Sequence, residues 1–335
     1  MRTFNINIPL FAILLIPLVS CNNSKKATPL NSNLYYGTAA VSQGPATIIS
    51  ENIYECDRGR KSPIGKATAT DGSVWTVPST VNFNESNFPF ASDLYNPCTK
   101  VEYSSASEAI AALDGSDIVE IDADGEVITA YIFADNYFEM YINGIPVGKD
   151  NVPFTEFNSN IVRFKVQKPF TIAMKLVDWE ENSGLGTESN RGNAFHAGDG
   201  GMVAVFKDAS NKILTTTNAN WKAQTFYTAP IKDLSCTSEN GTTRLSSNCT
   251  TDTSDDGNSY YALHWKIPTD WQNEQFDDTT WPNATEFTNE EIGVDNKRSY
   301  TNFTDIFDDS TNNAQFIWST NVVLDNEVLV RYTVK

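Results

Sequence analysis

The richest gathering of chemically useful side chains in the 335-residue sequence lies between residues 179 and 201. Trp179, Glu180, Glu181, Asn190, Arg191, Asn193, His196 and Asp199 fall in one stretch broken by Gly184-Leu-Gly186 and Gly198-Asp-Gly-Gly201. An aromatic face that stacks on the apolar side of a pyranose, with carboxylates, amides and a guanidinium to bond its hydroxyls, is the chemistry of saccharide recognition. A loop of about 20 residues inside a compact domain is usually functional or disordered. The same residues also read as a Trp packed in the core at a strand end, followed by solvated polar groups.

Asp135 and Asn136 stand at the start of a hairpin, where such side chains either close an Asx turn or ligate calcium. Asp114-Gly-Ser-Asp117 and Asp122-Ala-Asp-Gly125 form a second acidic run, but without the ligand spacing of an EF-hand, so they read as turns. For catalysis the pattern is thin. Glu180 and Glu181 are neighbours, and on a strand they would point to opposite faces, which makes a poor glycosidase pair. His196 has the chemistry of a lyase base but no partner marked by spacing. There is no Gly-x-Ser-x-Gly and no phosphate loop. No catalytic residue is named. A carbohydrate or glycan binder is the first expectation, a polysaccharide-active hydrolase or lyase the second, and an adhesion or protein-binding sandwich the third.

The elements that must hold these groups are strands. Runs at 72–77, 118–122, 127–133, 137–142, 161–166, 170–177, 202–206 and 327–334 are apolar or alternate apolar with polar residues. Asn143-Gly144 between two of them marks a tight hairpin, because both turn positions need positive φ. The one persuasive helix is Ser104–Leu113, with Ser capping an Ala-rich run. Without a βαβ rhythm the expected class is all-β, a jelly roll or β-sandwich with loop insertions.

Composition narrows the setting. The formal net charge is −18, from 42 acidic and 24 basic residues scattered through the chain. Such a surface repels nucleic acid and anionic lipid, so nucleic acid is excluded as a partner. Residues 8–19 form an apolar run after Arg2, too short to span a bilayer, which needs ~20 residues, and read as a signal peptide over 1–20. Leu18-Val-Ser-Cys21 resembles the lipobox of bacterial lipoproteins. That resemblance implies lipidation of Cys21, export, and membrane attachment through the lipid anchor only, at the cell surface or on the periplasm-facing outer membrane. Residues 21–44 then read as a polar tether. With Cys21 set aside, Cys56, Cys98, Cys236 and Cys249 remain, an even count that outside the cytosol implies disulfides. Three pairings are open, and Cys56–Cys98 with Cys236–Cys249 is favoured because each closes a local loop. Lacking CxxC spacing, the cysteines are not read as a zinc site, although His196 and His264 are available.

Ala134-Asp-Asn-Tyr-Phe-Glu-Met-Tyr-Ile-Asn-Gly-Ile-Pro-Val-Gly148 resembles the galactose-binding-domain-like jelly roll, the fold of many carbohydrate-binding modules. Phe170-Thr-Ile-Ala-Met-Lys-Leu-Val-Asp178 and Thr216-Thr-Asn-Ala-Asn-Trp221 follow in the same order. Trp271–Trp281, Phe316-Ile-Trp318 and Val328-Leu-Val-Arg-Tyr332 resemble the opening of such modules, yet here they come last. The resemblance therefore implies a circularly permuted jelly roll, with the C-terminal strands beside those of 127–206, a surface that binds glycan, and a structural calcium at Asp135 and Asn136. It covers about half of the chain after the signal. The PA14-type sandwich fits the Asn-Gly hairpin less well. The expected organisation is a β-rich extension over 45–119 and a jelly roll over 120–335 with an exposed insertion at 236–258.

Overall fold

The computed structural model describes residues 35–57, 59–154, 156–189, 195–253 and 258–335. Cys21, Asn190, Arg191 and Asn193 lie outside the described residues. Two antiparallel sheets face each other as an all-β sandwich. The seven-stranded sheet runs Ala40–Gln43, Tyr261–His264, Lys222–Ile231, Asp325–Val334, Phe170–Val177, Tyr137–Ile142, Ile145–Lys149. The nine-stranded sheet is centred on Gly201–Lys207, Glu126–Asp135 and Ser159–Val166. Only Ile118–Glu120 pairs parallel within it, against Ser159–Val166. Between the sheets Ile128, Ile132, Met140, Ile172, Met174, Val203, Val328 and Val330 form one apolar cluster. Each side chain of this size adds roughly 1.5–3 kcal/mol on full burial.

The local signals act as their chemistry requires. Asn143 and Gly144 take φ of 50° and 85° and join Tyr137–Ile142 to Ile145–Lys149. The helix covers Ala106–Ala111, and the Ser105 side chain accepts from the Glu108 N–H as its cap. Both favoured disulfides, Cys56–Cys98 and Cys236–Cys249, are present. In the acidic run at 114–125, Asp114 accepts from Ser116 N, Asp117 pairs with Arg163, and Asp122 accepts from Gln167 N, so these groups build turns and edges.

Segments outside these strands are built into the sandwich as well. The strand Phe170–Val177 is buried at every residue, so its two faces are both covered. Segment 45–90 causes this: the small sheet Thr47–Ser50, Ile64–Thr68, Val74–Val77 and the loop after it lie on the outer face of the seven-stranded sheet. Within residues 45–119, Ser92–Asn96 pairs with Ser159–Val166, so this β-rich stretch contributes a strand to the nine-stranded sheet. From Tyr35 onward the chain is built into the sandwich, as Ala40–Gln43 pairs with Tyr261–His264 and Tyr35 Oη donates to Glu239 at 2.7 Å. The region 236–258 is also partly built in, with the Arg244 guanidinium between the rings of Phe226 and Trp265 at 4.7 and 4.5 Å.

The C-terminal strand lies beside the middle of the chain. Phe170 through Val177 register against Val334 through Glu327, and Met202 pairs with Ile317. One end of the sandwich, where Gly201 faces Asp135 and Val177 faces Tyr137, carries the loop from 178 to 200.

Candidate functional site

At that end the chain passes from one sheet to the other through Asp135 and Asn136. The passage is pinned: Asn136 N donates to Val177 O at 3.2 Å, and Asn136 Oδ1 accepts from Trp179 N at 2.6 Å. Opposite it, the backbones of Asn182 and Thr187 pair, as do those of Glu188 and His196. The two segments enclose a cavity of about 210 Å³ lined by Arg60, Asp135, Asn136, Phe157, Glu188, His196, Asp199 and Lys297. A second cavity of about 410 Å³ adjoins it, sharing Phe157 and Lys297 and adding Tyr95, Glu102 and Arg298.

The acceptors of the first cavity are carboxylates that the fold does not fully neutralise. Asp135 is 4% exposed, and its Oδ1 accepts from Asn136 Nδ2, while Oδ2 has no hydrogen-bond partner among the described residues. Asp199 makes no hydrogen bond among the described residues. Glu188 pairs with Arg60 and lies 3.3 Å from His196 Nε2. Asp178 stands directly behind: a methyl group on Gly198 would meet both its carboxylate oxygens at 3.1 and 3.2 Å and Glu188 Oε1 at 3.3 Å. Glycine at 198 thus lets the two carboxylates close on one point. Asp178 is 3% exposed and its Oδ1 is unpartnered.

Burial pushes all four carboxyls above the ordinary range, and their mutual repulsion adds to it. Asp135 is raised by burial, then by the charges of Asp199 and Glu188. Asp178 rises for the same reasons, with Glu188 the nearest influence. Asp199 is pushed up to about 6, by burial first and Glu188 second. Glu188 rises through burial, and the Arg60 guanidinium opposes the shift. The cations are few. Arg60 is spent on Glu188 and, at 3.7 Å, on Glu181. Lys297 Nζ rests 4.1 Å over the Phe157 ring and makes no ion pair among the described residues.

The residues anticipated for this loop divide. His196 and Asp199 line the cavity. Trp179 does not: it is 1% exposed, its indole N–H donates to Pro63 O at 3.1 Å, and its ring packs with Tyr137, Phe83 and Phe154. The covering segment 45–90 closes off the face it would have offered a sugar. Glu180 is buried in the opposite direction, accepting from Tyr227 Oη at 3.0 Å and Gly184 N at 2.6 Å, and burial pushes it up to about 8. Glu181 accepts from Ser189 N at 2.7 Å and is not part of the cavity lining. Asn136 is a positioning residue. With its amide oxygen committed to Trp179, the pair Asp135–Asn136 offers one open oxygen, against the six to eight that calcium takes, and does not fit that ion. Among the described residues no three His, Cys, Asp or Glu side chains gather to hold a metal.

Arg60, Phe157, Glu188 and Lys297 complete the lining, with Asp178 behind it, and were not marked by sequence pattern. The one signal was charge inside the Gly-rich stretch, where Glu188 sits between Gly186 and His196. A second place joins a nucleophile to a base, Ser42 Oγ and His264 Nε2 at 2.8 Å. Both are 2% exposed, His264 is stacked between Trp75 and Tyr227, and burial holds its pKa down to about 3, so that pair is a core contact.

Compared with family models, with curated proteins and with solved structures, the chain matches none.

Proposed function

We propose that this chain is an exported, lipid-anchored glycan-binding protein of galactose-binding-like type, and that the acidic cavity at the sandwich end takes the end of a saccharide chain. One observation carries the reading: acceptors (Asp135, Glu188, Asp199) and donors (Arg60, Lys297) converge on a cavity that continues into a second one across the edge of Phe157. Sugar hydroxyls are both donors and acceptors, so a ring of mixed carboxylates and cations with an apolar edge suits them. At ~30 Å³ per water, the inner cavity holds about seven waters, the scale of one sugar residue, and the outer one has room for the next. The resemblance at 134–148 points to the same ligand class. Two disulfides support the oxidising compartment that the lipobox implies.

A glycan array probed with residues 35–335, repeated with Asp199→Asn, tests the site. Binding should be present in the parent and at least tenfold weaker in the variant, as charge-assisted hydrogen bonds are lost. Silence across all glycans would overturn the reading. The anchor is tested separately: labelled palmitate should enter the full chain in a bacterial host and should not enter Cys21→Ser.

The second reading, a polysaccharide-active enzyme, has one observation in its favour. Asp199, held up to about 6, stands near Glu188, whose charge is stabilised by Arg60, the division of acid and carboxylate that glycoside cleavage uses. Release of reducing ends from a bound glycan would move the conclusion to that class.

A further inference from the structure

We propose that the ligand of the acidic cavity carries a protonated amine, so that the saccharide class is one with free amino sugars; this rests on the glycan reading above. The argument is one of unmatched charge and orphaned acceptors. Asp135, Glu188 and Asp199 line the cavity and Asp178 closes on Glu188 beside Gly198. Among the described residues, only Glu188 has a cation in contact. Asp135, which lines the cavity, is more than nine-tenths buried and has a donor only at Oδ1 among the described residues, while Asp178, behind the lining, is as deeply buried with Oδ1 unpartnered. Buried polar atoms are nearly always partnered, and buried charges are paired, because leaving either bare is costly. A neutral sugar would satisfy lone pairs and leave the charge standing. A ligand ammonium supplies donors and charge together.

The arrangement of the oxygens separates an ammonium from a metal ion. A hard divalent cation draws its oxygens to a single centre, and no such gathering exists among the described residues. An ammonium has three N–H donors that reach outward to separate acceptors, which suits carboxylates spread around a cavity wall. Lys297 is not already in this role, since its Nζ sits on the Phe157 ring at the border with the outer cavity. Arg60 is held away by Glu188 and Glu181.

The test is calorimetric titration of residues 35–335, with EDTA present, using the β-1,4-linked glucosamine tetramer and its fully N-acetylated counterpart. The free-amine oligomer should bind about tenfold tighter or better, the scale of a charge-assisted pair in a partly enclosed site. Asp135→Asn and Asp199→Asn, checked for unchanged melting behaviour, should each cut that preference to less than about threefold. Equal affinity, or tighter binding of the acetylated oligomer, would overturn the amine proposal and leave glycan binding standing. If putrescine matches the glucosamine tetramer, amine recognition holds and the glycan reading falls. If neither oligomer nor putrescine binds, both fall. The comparison of two ligands on the parent protein decides the matter even where a variant fails to fold.

Discussion

Two buried polar regions of the sandwich have the same burial and opposite charge accounts. On the outer face of the seven-stranded sheet, Lys149 Nζ donates to the carbonyls of Asn82, Phe83 and Glu85 at 2.8, 2.7 and 2.9 Å. Beside it Glu139 accepts from Asn82, Tyr137 and Tyr141, while Lys175 Nζ donates to Thr80 O and lies 3.8 Å from Glu327. Lys149 spends its donors on carbonyls and Lys175 pairs with Glu327. At the end of the same sheets, Asp135, Asp178 and Asp199 have no cation in contact among the described residues. The first region fastens segment 79–90 over the sheet. The second does no fastening that its charges explain.

That contrast can be broken by mutation, beginning at the balanced side. Lys149→Met strands three carbonyls and leaves Glu139 without its nearby cation, and urea unfolding should show a loss of about 3–5 kcal/mol. A near-neutral result would mean that the network contributes little.

The next effect is in pH. Burial raises Glu180 and Asp150 to about 8 and Asp199 to about 6, so the folded state keeps protons that the unfolded chain releases from about pH 4 upward. The folded state binds more protons in that window, and stability therefore falls as pH rises from about 4 toward 8. The melting temperature should be several degrees lower at pH 8 than at pH 5. A flat or rising profile would show that these acids are matched by cations after all.

The smallest effect sharpens the acidic side. Asp178→Asn removes a buried charge with no partner at Oδ1, and should stabilise the protein by about 1 kcal/mol at pH 7.5. The gain should vanish below about pH 3, where aspartate holds its proton in both states. Destabilisation at pH 7.5 would mean that Asp178 serves the fold.

Legibility in the sequence followed the range of the interaction. Asn143-Gly144 announced its turn because the requirement for positive φ is contained in two residues. The helix over 104–113 was legible from a capping Ser and an Ala-rich run, although the cap is Ser105 and the helix covers Ala106–Ala111, and the strand at 170–177 was legible from its own apolar run. Lys222–Ile231 was not, since Gln224, Thr225, Thr228 and Pro230 interrupt the pattern, yet it is central in its sheet between Tyr261–His264 and Asp325–Val334. Its polar side chains are absorbed by neighbours that only the fold supplies, Thr228 by Asp325 at 2.7 Å among them. The candidate site shows the same limit. His196 and Asp199 could be named from the loop, whereas Arg60 and Lys297 reach it from distant parts of the chain. Trp179 shows the converse: residue type told its chemistry, but whether its ring faced solvent depended on a covering segment that precedes it by more than a hundred residues, as its bond to Pro63 shows.

The placement of Asp325–Val334 also governs when this molecule can exist. It lies between Lys222–Ile231 and Phe170–Val177, registered as Thr225 with Val328 and Phe170 with Val334. Until that stretch emerges during synthesis, the seven-stranded sheet is two halves with unpaired edges and the apolar interior has no closed wall. Strand pairings this distant along the chain form late and slowly. A nascent chain that has not yet made residues 325–334 therefore leaves the edges of Lys222–Ile231 and Phe170–Val177 without their shared partner.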